Sequence, residues 1–514
     1  MSETTSPTRA GRREWLGLAV LTLPALLASM DLSVLFMAAP WLSADLRPSG
    51  SQLLWTMDIY GFLMAGLLIS MGTLGDRIGR RRLLIAGALA FGAASVMAAY
   101  STSAEMLILA RALLGIGGAT LAPSTLALIR SMFHDAGQRR AAVGVWTASF
   151  SAGFPLGAII GGLLVERFWW GSVFLINIPV MVLLLVLAPV VVPESRNPHA
   201  RGFDLPGAGL SIAAVLAVIW GLKKLAENGW QVTALAAVVA GLVIGYVFVR
   251  RQRVGTDPLI DVRLFRRSAF SASIGANLAI VLASAGLGML VVQHMQLVLG
   301  YRPFTAALWM LPMVGVMMAG ITLSTLLVRW IRPGVIVGAG LAFGAVGFGL
   351  LSRLAADDSI AFLMTGYSIL GLGMGLAMAL AVNLVVATAP PENAGAAAAI
   401  SETGSEFGGA LGIALLGSVA TAVYQSDMRT ALPPGLPPDT ADAASATLGG
   451  AVAVAERLPD VLSDDVLISA FDGFTRSVNV AAVVGASLLA VAAVVVTIAL
   501  WSVRIEDMDQ PPHA

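Results

Sequence analysis

The chain has 514 residues, of which 57% are hydrophobic and only 12% charged, about half the charged share of a soluble globular domain. The formal net charge is +1, so no bulk charge points to a nucleic-acid partner, and the lack of cysteine excludes disulfides, thiol chemistry and thiolate metal sites. Uniformly apolar runs of about 20 residues satisfy their backbone in lipid only as helices, so the chain reads as an all-α integral membrane protein rather than a barrel.

In chain order, a polar, basic tail at 1–14 (Arg9, Arg12, Arg13) precedes the first apolar run. No small-residue cleavage site follows it, so the first run is expected to be a retained helix. Fourteen spans follow, at roughly 15–38, 53–74, 83–101, 105–129, 141–164, 170–192, 206–226, 233–250, 270–293, 305–328, 334–354, 360–386, 396–424 and 474–502. Positive charge tests that count. With the N-terminus cytoplasmic, 21 of the 31 Lys and Arg fall on cytoplasmic segments. Nine fall outside or at outer helix ends, among them Lys223 and Lys224, and Arg111 alone lies within a span. Both termini are therefore expected in the cytoplasm.

Two connections differ from the rest. The cytoplasmic segment from about 250 to 268 is strongly basic, and Arg263, Leu264, Phe265, Arg266 and Arg267 suit an interfacial helix. The outer loop 425–472 holds eight acidic residues and a Pro-rich stretch, Leu432 to Pro438. It reads either as a solvated loop or as a cation-attracting vestibule or folded cap. Trp169, Trp170 and Trp501 look like interface anchors.

Charges inside the spans mark the candidate site, because a charge at mid-bilayer costs about 2.5–3.5 kcal/mol on insertion scales. Asp31, Asp58, Glu402 and Glu406 are the candidate substrate- and proton-binding groups. Glu402 and Glu406 are four residues apart, so they share a helix face with roughly 6 Å between Cβ atoms. Two carboxylates so close in low dielectric are not expected both to be charged. Gly404, Gly408, Gly409 and Gly412 beside them let another helix approach. Arg111 needs a partner, and Asp31 and Asp58 are the candidates for a coupling ion pair. Trp55, Tyr60, Trp146, Phe150, Phe154, Trp309, Met310, Met313 and Phe407 are candidates for an aromatic and thioether pocket for organic cations. The four histidines are scattered and suggest no metal site. No Walker phosphate loop is present, so ATP is not the expected drive, and no segment is large enough for a soluble catalytic domain.

The turn after the second span reads Gly72-Thr-Leu-Gly75-Asp76-Arg77-Ile-Gly79-Arg80-Arg81-Arg82, where the glycines permit a tight turn and Asp76 can meet an arginine or a helix N-terminus. This run resembles the signature loop of the major facilitator superfamily. Arg111 with Gly115, Gly117 and Gly118 is similar to that family's fourth-helix motif, and Gly144, Gly153, Pro155, Gly157, Gly161 and Gly162 to its antiporter motif. Asp31 with Pro40, Trp55-Thr-Met-Asp58-Ile-Tyr60, Asn177-Ile-Pro179 and Gln296-Leu-Val-Leu-Gly300 further resemble the fourteen-helix drug:proton antiporters, which export quaternary ammonium compounds and dyes. One departure is Gly157-Ala158 where the family usually has Gly-Pro, with a proline two residues earlier at Pro155.

The resemblance implies two six-helix bundles with two helices inserted between them. The expected organisation is a tail at 1–14, a first bundle at 15–192, the inserted pair and linker at 193–268, a second bundle at 269–502 and a tail at 503–514. A second-half counterpart of the signature loop, around Arg329 to Gly334, is degenerate. The implied function is export of lipophilic cations from the cytoplasm or inner leaflet of a bacterial plasma membrane. It would proceed by alternating access in exchange for protons, in a monomer that needs membrane lipid and no cofactor. Export of an endogenous metabolite, lipid or antibiotic is the alternative, and a non-transporting scaffold or sensor is a third.

Overall fold

A computed structural model describes residues 10–196, 204–228, 230–254, 262, 264–388, 394–434 and 436–501. Its helices are α1 (Arg12–Leu46), α2 (Gly50–Ile78), α3 (Arg80–Ala99), α4 (Ala104–Met132), α5 (Ala136–Arg167), α6 (Ser172–Leu175) and α7 (Asn177–Val191). Then come α8 (Leu205–Asn228), α9 (Val232–Val254), α10 (Ser268–Gln293), α11 (Pro303–Trp309), α12 (Leu311–Leu327), α13 (Pro333–Leu351) and α14 (Ile360–Ala387). The last four are α15 (Ala394–Ala431), α16 (Pro438–Ala446), α17 (Leu448–Ala455) and α18 (Asp460–Ala499). Fourteen stretches are long and apolar enough to cross a membrane, with α6–α7 and α11–α12 each forming one.

The packing repeats. In the first bundle α1 lies on α5, α2 on α4, and α3 on α4 and α7. In the second, α10 lies on α15, α12 on α14, and α13 on α14 and α18. The inserted α8 and α9 form a hairpin, and α8 also lies against both α2 and α15. The ends of the bundle differ in chemistry. One carries Arg77, Arg80, Arg81 and Arg82 around the turn from α2 into α3, and Arg130, Arg139 and Arg140 around the turn into α5; the other carries α16 and α17. These are called the basic end and the cap end.

The antiporter-like motif makes the tightest seam of the first bundle. A Cβ on Gly153 would lie 2.6 Å from the Leu26 carbonyl, and one on Gly157 2.8 Å from the Met30 carbonyl. Gly161 sits against Val34, and Gly162 against the Pro303 backbone of α11 in the other bundle. Small residues at this spacing let the backbones of α1 and α5 touch, which is how helices associate where lipid gives no hydrophobic drive. α5 runs without interruption through Pro155, and Ala158 is buried.

The signature-like loop is a staple at the basic end. Gly79 has φ +113°, a conformation that favours glycine, and the Glu194 carboxylate lies close against it. Asp76 pairs with Arg80 at 2.6 Å. The backbone amide of Arg81 donates to Glu194 at 3.0 Å, and its guanidinium to the Pro189 and Val192 carbonyls at the end of α7. Arg196 donates back to the Arg77 carbonyl at 2.9 Å. The corresponding turn of the second bundle docks likewise on the end of α18: Gly334 lies against Leu500, and Arg332 donates to the Trp501 carbonyl and covers its ring.

The cap end carries a folded cap, which resolves the two readings of 425–472. Its first and last parts extend α15 and α18, and α16 and α17 fill the middle. Tyr424 donates to the Ala444 carbonyl at 3.0 Å, and Gly449 lies against Pro40 and Ser43 of α1. Of the basic segment expected to lie at the interface, Leu264–Arg266 form a single 3₁₀ turn, while Arg263 lies outside the described residues, as do the tails 1–9 and 502–514. Trp170 is not an interface anchor: it is buried, its indole donating to Asp45 at 2.7 Å.

At the mouth of the inserted hairpin, Arg251 donates to Asp204 at 2.8 Å and holds that carboxyl below the usual carboxylate range. The pair therefore contributes above that range and is lost as pH falls through the lowered value. Gly157→Val should force α1 from α5 and cost about 3 kcal/mol or more, read as a lower thermal unfolding midpoint in detergent.

Candidate functional site

α4 brings Arg111 to the middle of the first bundle, where the guanidinium is fully buried. Its Nη1 donates to both oxygens of Asp31, at 2.7 and 2.6 Å, and Nε donates to the Thr56 carbonyl of α2 at 3.1 Å. One side chain thus ties α1, α2 and α4 together. The Tyr60 ring lies 4.8 Å from the guanidinium carbon, a cation–π distance. Of the two candidates for Arg111, the structure selects Asp31.

Asp58 has a different partner. Lys223 of α8 places Nζ 2.7 Å from Asp58 Oδ2, with both side chains at most 1% exposed. The ammonium also lies 4.0 Å from the Trp55 ring centroid. This corrects the sequence reading, which put Lys223 at an outer helix end and made Arg111 the lone cation within the spans. Two consecutive lysines near the end of an apolar run look like an interface. Helix phase separates them: Lys223 points into the groove beside Asp58, while Lys224 is only half-buried.

Glu402 and Glu406 lie four residues apart on one face of α15, and both are half-buried. Neither carboxylate has a hydrogen bond or ion pair among the described residues. Small residues bring α15 onto α10: Gly412 meets the Leu282 carbonyl and a Cβ on Gly408 would lie 3.1 Å from that of Leu278, whereas one on Gly404 would enter open space. Asn277 of α10 donates to Ser405 at 2.8 Å, beside the two glutamates.

The predicted aromatics do not form one box. Trp55 covers Lys223, and Tyr60 covers Arg111. Trp146 and Phe150 stack at 5.7 Å on α5, with Trp146 donating to Thr125. Phe154 packs against the core from the same helix, and Phe407 meets Phe62 at 6.2 Å on the side facing α8. Trp309 is 38% exposed, whereas Met310 and Met313 are buried. No metal-binding group of His, Asp or Glu occurs among the described residues.

The two bundles meet toward the cap end. Leu54 packs on Gly417, a Cβ on Gly61 would lie 3.6 Å from the Glu406 carbonyl, and α5 touches α11 through Gly162 and Pro303. The carboxylates of α15 therefore sit on the basic side of the seam.

A family profile described as the Major Facilitator Superfamily matches residues 21–413. The chain is 42% identical to the multidrug efflux pump LfrA of Mycolicibacterium smegmatis over 96% of this chain and 98% of that protein. It is 34% identical to the methyl viologen resistance protein SmvA of Salmonella typhimurium over 94% and 97% of the two chains. Among solved structures, a bacterial homologue of the human lysosomal transporter Spinster, inward-facing and unoccupied, superposes with a TM-score of 0.66 at 16% identity. That match covers 98% of this chain and 100% of the other, and at such identity it speaks to the fold alone.

Lys223→Met should leave Asp58 as an orphan buried charge and cost about 3–5 kcal/mol, whereas Lys223→Met with Asp58→Leu should cost clearly less than either single change. Thermal unfolding of the purified variants in detergent, read as a double-mutant cycle, checks this.

Proposed function

Because the chain belongs to the Major Facilitator Superfamily, a family of multi-pass transporters that here includes multidrug efflux relatives, we propose that it exports lipophilic organic cations in exchange for protons. One observation carries the reading. Asp31 and Asp58 each hold an internal cation, while Glu402 and Glu406 hold none among the described residues. An uncompensated carboxylate pair in a poorly solvated interior attracts either an organic cation or protons, and the two compete for the same charge. SmvA is named for resistance to methyl viologen, an organic dication, and cargo of that kind suits two neighbouring carboxylates.

In this proposal the basic end faces the cytoplasm, in accord with the positive-inside rule. Cargo enters from the cytoplasm or inner leaflet toward Glu406 and Glu402. The bundles then rock, the cap-end seam between α2 and α15 parts, and external protons neutralise the glutamates and release the cargo. The protonated carrier returns and loses its protons inside. Asp31 and Arg111 are the coupling pair: a proton on Asp31 leaves Arg111 holding only the Thr56 carbonyl, which loosens α1 from α2 and α4. No cofactor is required, since the gradient supplies the energy, and one chain carries the whole site. Lys223 does not make the interior suited to anionic cargo, because Asp58 already takes its charge.

Everted membrane vesicles with an imposed inside-acid gradient test the reading with ethidium and methyl viologen. Wild type should accumulate both. Glu406→Gln should lose about 2 kcal/mol of charge-assisted stabilisation, roughly thirtyfold in initial rate. Asp31→Asn should retain binding but abolish dependence on the gradient. Wild-type rates in Glu406→Gln would remove the glutamate assignment.

A further inference from the structure

α8 touches both bundles, and the two contacts differ in kind. Toward α2 it is pinned: Lys223 pairs with Asp58 at 2.7 Å, the ammonium lies over Trp55, and Ile212 packs directly on Gly66. Toward α15 it is apolar and loosely filled. Ile219 meets Ala410 and Ala414. Beside them a cavity of about 370 Å³ opens between Leu222, Leu411, Leu415 and Val419, lined also by the Lys223 side chain, with the Ser418 hydroxyl buried there without a partner among the described residues. The hairpin itself is one body. Gly221 lies against the Ala234 carbonyl, Gly241 against that of Ala214, and Arg251 clasps Asp204.

These contacts cannot all survive a rocking motion. Opening the cap end requires α2 to leave α15, because Leu54 and Gly417 touch there, and α8 bridges the two. Separating a buried ion pair strands two charges in a low-dielectric place, whereas an apolar face with a void can slide without losing a polar bond. We propose that the α8–α9 hairpin is carried by the first bundle, pinned to it by Lys223 on Asp58, and that its face on α15 is the one that moves. Lys223 is thus a positioning residue that assigns the inserted helices to one half. This inference rests on the alternating movement proposed above and adds which half the insert follows.

The chain has no cysteine, so engineered pairs report without background. A Cβ on Gly66 lies 3.7 Å from the Ile212 Cβ, within the disulfide range of about 3.5–4.5 Å. Oxidised Gly66→Cys/Ile212→Cys should transport ethidium as well as its reduced form. Ile219→Cys/Ala414→Cys, bridged by a short bifunctional thiol reagent with a cleavable disulfide, should lose transport and regain it on reduction. Block by the first bridge, or transport through the second, overturns the proposal. Adding Lys223→Met should lower the yield of the Gly66→Cys/Ile212→Cys disulfide, and the exchange Asp58→Lys with Lys223→Asp should restore it; an unchanged yield removes Lys223 as the pin.

Spin labels give a readout independent of cargo. The distance from Trp230→Cys, at the hairpin tip, to Tyr100→Cys in the first bundle should stay fixed as pH is taken from alkaline to acid. The distance from Trp230→Cys to Val461→Cys on α18 should shift. The reverse pattern, or no shift in either, overturns the proposal even if ethidium proves not to be a substrate.

Discussion

The cost of a bare charge away from water governs the middle of this protein. Arg111 and Lys223 are the two Lys or Arg side chains buried there among the described residues, and each is matched to a carboxylate within 2.7 Å. Each pair spans helices that the chain order keeps apart: Asp31 and Arg111 join α1 to α4, and Asp58 and Lys223 join α2 to the insert. Breaking either pair exposes an orphan charge, so these contacts act as latches rather than as sources of net stability. What remains is a surplus of two carboxylates on α15.

The rest of the architecture keeps these few groups in register. Glycines at the α1–α5 and α10–α15 seams bring backbones into contact, so Asp31 and Glu406 are fixed by rigid helix pairs rather than by loops. The staple around Gly79 ties the end of α2 to the segment after α7, and Arg332 with Trp501 repeats the device in the second bundle. At the opposite end, α17 rests on α1 although it belongs to the second half, and α16 packs on α17 and α15. The cap therefore adds contacts across the seam that must part if the cap end opens. Closure at that end follows from packing spread over many residues, not from a single gate.

Much of this was legible from residue order. Fourteen apolar runs give fourteen helical spans among the described residues, because lipid offers the backbone no other partner. Gly79 was readable as a turn, since a positive φ beside Glu194 favours glycine. The pairing of Arg111 was narrowed to Asp31 or Asp58 by the same desolvation argument that the structure satisfies. The aromatic box was not legible. Tryptophan and phenylalanine are common along apolar helices, and only helix rotation decides that Trp55 faces Lys223 while Trp309 faces outward.

The sequence by itself determined the class, the span count and the depth of the four carboxylates, because composition and helix rise act locally along the chain. Which carboxylates are already neutralised was decided only in the tertiary structure. Lys223 looks like half of an interfacial lysine pair until α8 is laid in the groove between α2 and α15, where helix phase turns it onto Asp58. The same holds for the outer loop, whose acidic composition suits solvent equally well as a cap until α17 packs on α1 and α18, with α16 on α17 and α15. Partnership between residues 165 positions apart is a property of packing, and no local pattern encodes it.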